Sequence, residues 1–153
     1  MTDDDRAAAA EGRLAQRRWL RRAFFAGAVT DALALVPMLV PPVARLLWGF
    51  DDLDGAYRFA IGYGASLMFG WTVLLAWAYR DPLERAFVAV LTVIVIYGLV
   101  ATEVMAVVAG QLAWWRMLGT WMLQAGLVAL FAGAYHYPWL ARHLTASRGP
   151  TAV

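Results

Sequence analysis

Two carboxylates, Asp31 and Glu103, interrupt long apolar stretches of this 153-residue sequence, and any chemistry inside those stretches has to start from them. On insertion scales an Asp at the centre of a membrane helix costs about 2.5–3.5 kcal/mol, so each must be paired, protonated or used. At a rise of 1.5 Å per residue, Asp31 lies about 12 Å into its stretch and Glu103 about 26 Å into its own. The difference of about 14 Å is too large for a shared proton without strong tilt or sliding. Each carboxylate therefore has its own layer. Glu103 is level with Ser66 and Gln124, and Arg58 and Arg116 have side chains long enough to reach it. Asp31 is level with Thr72 and roughly with Thr92, and no basic residue shares its depth, which makes it the better candidate for a proton-coupled role. The outer layer of Glu103, Ser66 and Gln124 could accept a cation, a proton or a polar head group, and Tyr63, Trp71 and Tyr97 reach into the middle of the membrane near it. A cavity lined by aromatics and a carboxylate suits an organic cation. The competing reading is structural: local hydroxyl, amide or Arg partners satisfy both carboxylates, which then only lock helices together.

Other chemistries find no residues. Cysteine is absent, which removes disulfides, thiolate metal sites and a cysteine nucleophile. His136 and His143 stand seven apart at the end of the last apolar stretch, away from any mid-span position where paired haem ligands are needed. No phosphate-binding glycine loop, nucleophile elbow or metalloprotease helix motif occurs. The expectation is no cofactor, no metal and no catalytic set.

The elements that must position the carboxylates follow from composition. Apolar residues make up 62% of the chain and charged residues 16%, against roughly 45–50% and 25% in soluble domains. The apolar residues form four blocks, at about 23–44, 59–79, 86–110 and 117–137, each long enough to cross a hydrocarbon core of about 30 Å. The expected fold is all-α, a four-transmembrane-helix bundle. Residues 1–22 read as a basic N-terminal segment and residues 138–153 as a tail. Ala7 to Arg22 is expected to form an interfacial helix among anionic lipids. The run Arg17-Arg18-Trp19-Leu20-Arg21-Arg22 before an apolar stretch also looks like a twin-arginine export signal, but the stretch is too long for one and contains Asp31.

All thirteen basic residues are Arg, a usage that points to a GC-rich coding sequence and a bacterial source. Arg6, Arg13, Arg17, Arg18, Arg21, Arg22, Arg80, Arg85, Arg142 and Arg148 fall on the side of the termini; only Arg45, Arg58 and Arg116 fall on the other. Cytoplasmic flanks carry the excess of positive charge, so both termini are expected inside, in the inner membrane. The +2 net charge thus reports topology, and no nucleic-acid partner is expected. Trp19, Trp77, Tyr79, Tyr135, Tyr137 and Trp139 mark the inner interface; Trp48, Tyr57, Trp114 and Trp115 mark the outer one. Asp51, Asp52 and Asp54 lie in the first outer loop. Pro37 should kink the first helix; at Pro41-Pro42 the helix either simply ends, or breaks so that Val43 to Phe50 lies flat at the interface and a vestibule opens. Asp81 is the expected N-cap of the third span, with Pro82 at its first position.

Lipid competes for apolar surface, so helices in a bilayer associate through small residues. Gly62, Ser66 and Gly70 form such a stripe, and so do Gly98, Thr102, Ala106 and Gly110; the first span adds Ala23, Gly27 and Asp31, and the last adds Ala125, Ala129 and Gly133. The four stripes are expected to knit one compact bundle, or alternatively one of them joins two copies in a homodimer.

The segment from Gly64 to Arg85 resembles small bacterial four-helix integral membrane proteins, a resemblance that implies the fold and no activity. In plan the chain is similar to small multidrug exporters, which carry a carboxylate in their first helix as Asp31 is carried here; sterol-isomerase-like bundles also use membrane carboxylates and aromatics. The leading expectation is a non-enzymatic structural, accessory or small-molecule-binding membrane protein. Proton-coupled transport of a small or cationic compound through Asp31 and Glu103 is the alternative, and a membrane enzyme comes third.

Overall fold

A computed structural model describes residues 3–49 and 54–146, and all its regular structure is helical: α1 (Asp3–Leu39), α2 (Pro41–Trp48), α3 (Gly55–Arg80), α4 (Phe87–Val108) and α5 (Trp114–Ala146). Four segments are long and apolar enough to cross a membrane: Ala9–Leu39, Gly55–Arg80, Phe87–Val108 and Trp114–Tyr137. They overlap the four apolar blocks of the sequence, but the first segment starts earlier, at Ala9, and stops at Leu39 instead of about 44. At the N-terminus α1 is one helix of 37 residues, so no helix boundary separates residues 1–22 from the first span. The reason is local: Ala, Arg, Leu and Gln dominate residues 7–22, all good helix formers, and Gly12 alone does not stop them. The tail likewise begins helical, because α5 continues to Ala146. Asp51, Asp52 and Arg148 lie outside the described residues, as do the side chains of Trp139, Arg142 and His143.

The proline break occurs where expected. Helix α1 runs through Pro37 and stops at Leu39; Val40, immediately before Pro41, is extended at φ −114° and ψ 97°. Steric clash with the proline ring disfavours helical backbone in the preceding residue. Pro41 and Pro42 then start α2, where their missing N–H groups have no helical partner to lose. Helix α2 ends at Gly49, whose φ of 74° lets its N–H reach the Arg45 carbonyl. The Arg116 guanidinium lies so close that a Cβ on Gly49 would sit 2.5 Å from Nη1. Glycine is required there twice over, and Arg116 places positive charge at the helix C-terminus, where the dipole favours it. The groove between α1, α2 and α3, about 200 Å³ and lined by Pro37, Pro41, Tyr57 and Arg58, is the vestibule that the break opens.

Helix α3 is capped by Asp54, whose Oδ1 accepts from the Tyr57 N–H at 2.7 Å. The expected cap at Asp81 is absent, because α4 starts only at Phe87, after a turn over 82–86. Asp81 instead pairs with Arg85 at 3.1 Å. Arg85 also donates to the Trp77 carbonyl and lies 3.7 Å from the Trp77 ring centroid, clamping the α3–α4 turn onto the last turn of α3.

Helix α1 packs along both α3 and α5, and α4 packs on α5; α3 and α4, consecutive in sequence, hardly touch. The buried core joins Leu20, Phe24, Leu75, Val88 and Phe131, with the Phe24 and Phe131 rings 5.9 Å apart. Gly27 makes this closeness possible, since a Cβ there would meet Phe131 Cζ at 2.9 Å and Leu75 Cδ1 at 3.1 Å. The Gln16 amide donates to the Tyr135 carbonyl at 3.3 Å, so the start of α1 lies beside the end of α5. Arg21 covers the Tyr79 ring at 4.7 Å, which brings the end of α3 to that same face.

Of the four small-residue stripes, that of α1 lies at a packed contact, with Ala23 buried and Gly27 against Phe131 and Leu75; those of α3, α4 and α5 do not, and Ala125 and Ala129 are exposed. A Cβ on Gly62, Gly70, Gly98 or Gly110 would meet nothing within 4 Å, and Ser66 and Thr102 are exposed. Spacing by four places small residues on one face of a helix, but not on the face that meets a neighbour; Gly27 occupies that face.

Candidate functional site

Because α3 and α4 splay apart, a crevice of about 460 Å³ remains between them, floored by α1 and α5. Four regular stripes line it. Helix α3 contributes Gly64, Leu67, Met68 and Trp71, and α4 contributes Thr92, Val95, Ile96 and Leu99, both at i, i+3, i+4 and i+7. Helix α1 adds Gly27 and Asp31, and α5 adds Leu127 and Phe131, each pair one turn apart. The size falls within the range of small-molecule sites, about 300–1,000 Å³, and the mix of apolar walls with few polar groups is the usual lining of such a site.

Asp31 is the single charged side chain on this lining. Among the described residues it has no ion pair, and its carboxylate is not sealed from the crevice. Thr92 is buried, and its hydroxyl donates to the Val88 carbonyl at 2.8 Å. The Trp71 indole Nε1 is buried without a hydrogen-bond partner.

No protein-family model, curated protein or solved structure matches this chain. The chemistry has to be read from the residues alone.

Of the expected inner layer, the structure brings Asp31 and Thr92 to one cavity, and Trp71, expected near the Glu103 layer, lines that cavity instead. Thr72 has the expected depth and the wrong azimuth: it follows Trp71, so it is rotated by about 100° from the crevice. Its hydroxyl donates to the Met68 carbonyl at 3.0 Å. Tyr63 and Tyr97 are 67% and 62% exposed and point away from the crevice lining.

The expected outer layer is half formed. Gln124 Nε2 donates to Glu103 Oε1 at 3.0 Å, joining α5 to α4. Ser66 takes no part, since it stands on the exposed face of α3, and α3 scarcely meets α4. Arg116 is occupied at Gly49, and Arg58 lines the groove by Pro37, so neither supplies the expected ion pair to Glu103. Trp121 was missed by the sequence reading. It stands beside the same carboxylate one turn before Gln124, with its buried indole N–H directed at Glu103. The i, i+3 spacing of Trp121 and Gln124 was the available signal. His136 is exposed, with its ring edge-on to Tyr135 at 5.2 Å.

The two carboxylates therefore sit in different surroundings. Glu103 belongs to a closed contact between two helices, whereas Asp31 faces open space. With one titratable group on its lining, the crevice offers an electrostatic anchor and no acid–base pair.

Proposed function

We propose that this chain is a multi-pass inner-membrane protein, both termini cytoplasmic, that binds a small lipophilic molecule in the α3–α4 crevice without catalysing its conversion. The observation that carries this reading is the single cavity uniting Asp31, Trp71 and Thr92 among apolar side chains. Membrane helices ordinarily close such space with small-residue contacts, yet here Gly62, Gly70 and Gly98 face away from any neighbour in the chain. The resemblance of Gly64 to Arg85 to small bacterial four-helix membrane proteins supports the same setting.

A small lipophilic diazirine in reconstituted membranes tests the reading, because it reports cavity occupancy residue by residue. Photolabelling is expected at Met68 on the crevice and also at Phe59, which is 79% exposed elsewhere on α3. The bulky Leu99→Trp variant should remove the Met68 label and leave the Phe59 label in place. Absence of label at Met68 in the parent protein, with Phe59 labelled, would rule the reading out.

Proton-coupled transport is the second reading, favoured by the location of an unpaired Asp31 on a cavity within the spans. It requires a pH-dependent flux that Asp31→Asn abolishes in folded protein. Glu103 enters that reading weakly, since it is held by Gln124.

A further inference from the structure

We infer that the occupant of the crevice is a lipophilic monocation, an amine or quaternary ammonium, that enters sideways from the bilayer between α3 and α4. This deepens the small-molecule reading above and rests on it. Three observations converge. Asp31 is the only charged side chain on a lining otherwise made of aliphatic, aromatic and glycine residues plus Thr92, and it has no ion-pair partner among the described residues. One uncompensated carboxylate in an apolar cavity selects one positive charge, because the attraction is strong where water is scarce. Trp71 and Phe131 stand on the same lining, and aromatic faces attract the same cations that a carboxylate does.

The lateral route follows from the helix arrangement. Helices α3 and α4 hardly touch, while α1 with α3, α1 with α5 and α4 with α5 are closed contacts, so the crevice has one open side along the spans. A ligand reaching Asp31 by that side is drawn from the lipid phase, which explains the need for a lipophilic body on the cation.

Benzoylcholine and its neutral carbon isostere 3,3-dimethylbutyl benzoate separate charge from shape, since both carry the same ester acceptor and aromatic ring. Calorimetry of the full chain in phosphatidylcholine nanodiscs should show benzoylcholine binding at least tenfold more tightly. Asp31→Asn should erase that preference and Asp31→Glu should keep part of it. Equal binding of the two esters to the parent protein, with Leu99→Trp blocking both, overturns the cationic class and leaves the cavity reading standing. Binding of neither ester, or binding that Leu99→Trp does not alter, overturns both. The comparison of isosteres on the parent protein decides the matter even if an Asp31 variant fails to fold.

Discussion

Gln124 and Glu103 are joined by one hydrogen bond, 3.0 Å from amide nitrogen to carboxylate oxygen, across the contact between α5 and α4. Gln124 is 7% exposed, so the bond lies inside that contact. A double-mutant cycle with Glu103→Ala and Gln124→Ala should return a coupling of about 0.6–1.7 kcal/mol, the span found for polar contacts between membrane helices. Unfolding in mixed micelles measures it. Ligand binding at the crevice should be unchanged in both single variants, and a loss of binding in Glu103→Ala would join two sites that the structure keeps apart.

Gly27 and Gly70 should respond oppositely to alanine. At Gly27 the new methyl would press on Phe131 and Leu75, whereas Gly70 has open space around it. Overpacking costs typically about 1–3 kcal/mol, while Gly→Ala in an exposed helix interior gains about 1 kcal/mol. Unfolding midpoints should therefore fall for Gly27→Ala and hold or rise for Gly70→Ala.

Arg85 should matter more than the acid with which it pairs. The Asp81 side chain is half exposed, which limits the ion pair to about 1 kcal/mol or less. Arg85 is also bonded to the Trp77 carbonyl and stacked on its ring. Arg85→Ala is expected to lower the unfolding midpoint clearly more than Asp81→Ala, and equal losses would reduce the clamp to the ion pair alone.

Charge and geometry together set an expected topology. The start of α1, the end of α3 and the end of α5 share one face, which carries Arg17, Arg21 and Arg85. Alkaline phosphatase fused after Ala146 should be inactive, and the same reporter inserted at Gly49 should be active. The reverse pattern would invert the assignment.

Depth was legible in the sequence and direction was not. Counting 1.5 Å per residue set Asp31 level with Thr92 and Glu103 level with Gln124, and both pairs share a site. The same count offered Thr72 and Ser66, which have the right height and the wrong face. Azimuth depends on which helices are neighbours, and the sparse contact of α3 with α4 has no counterpart in hydropathy or spacing. The break at Val40 was legible because proline acts on the residue before it. The continuity of α1 was not, since arginine marks an interface for topology while remaining a good helix former.

That continuity has a mechanical consequence. At about 55 Å, α1 is much longer than a hydrocarbon core of about 30 Å, so one stiff rod spans the bilayer and projects beyond it. Arg13 and Asp31 stand eighteen residues apart on it, five full turns and the same azimuth. No helix break separates the arginine-rich arm from the carboxylate, so a rigid-body tilt of that arm carries Asp31 with it, against the grip of α3 and α5 on the turns between.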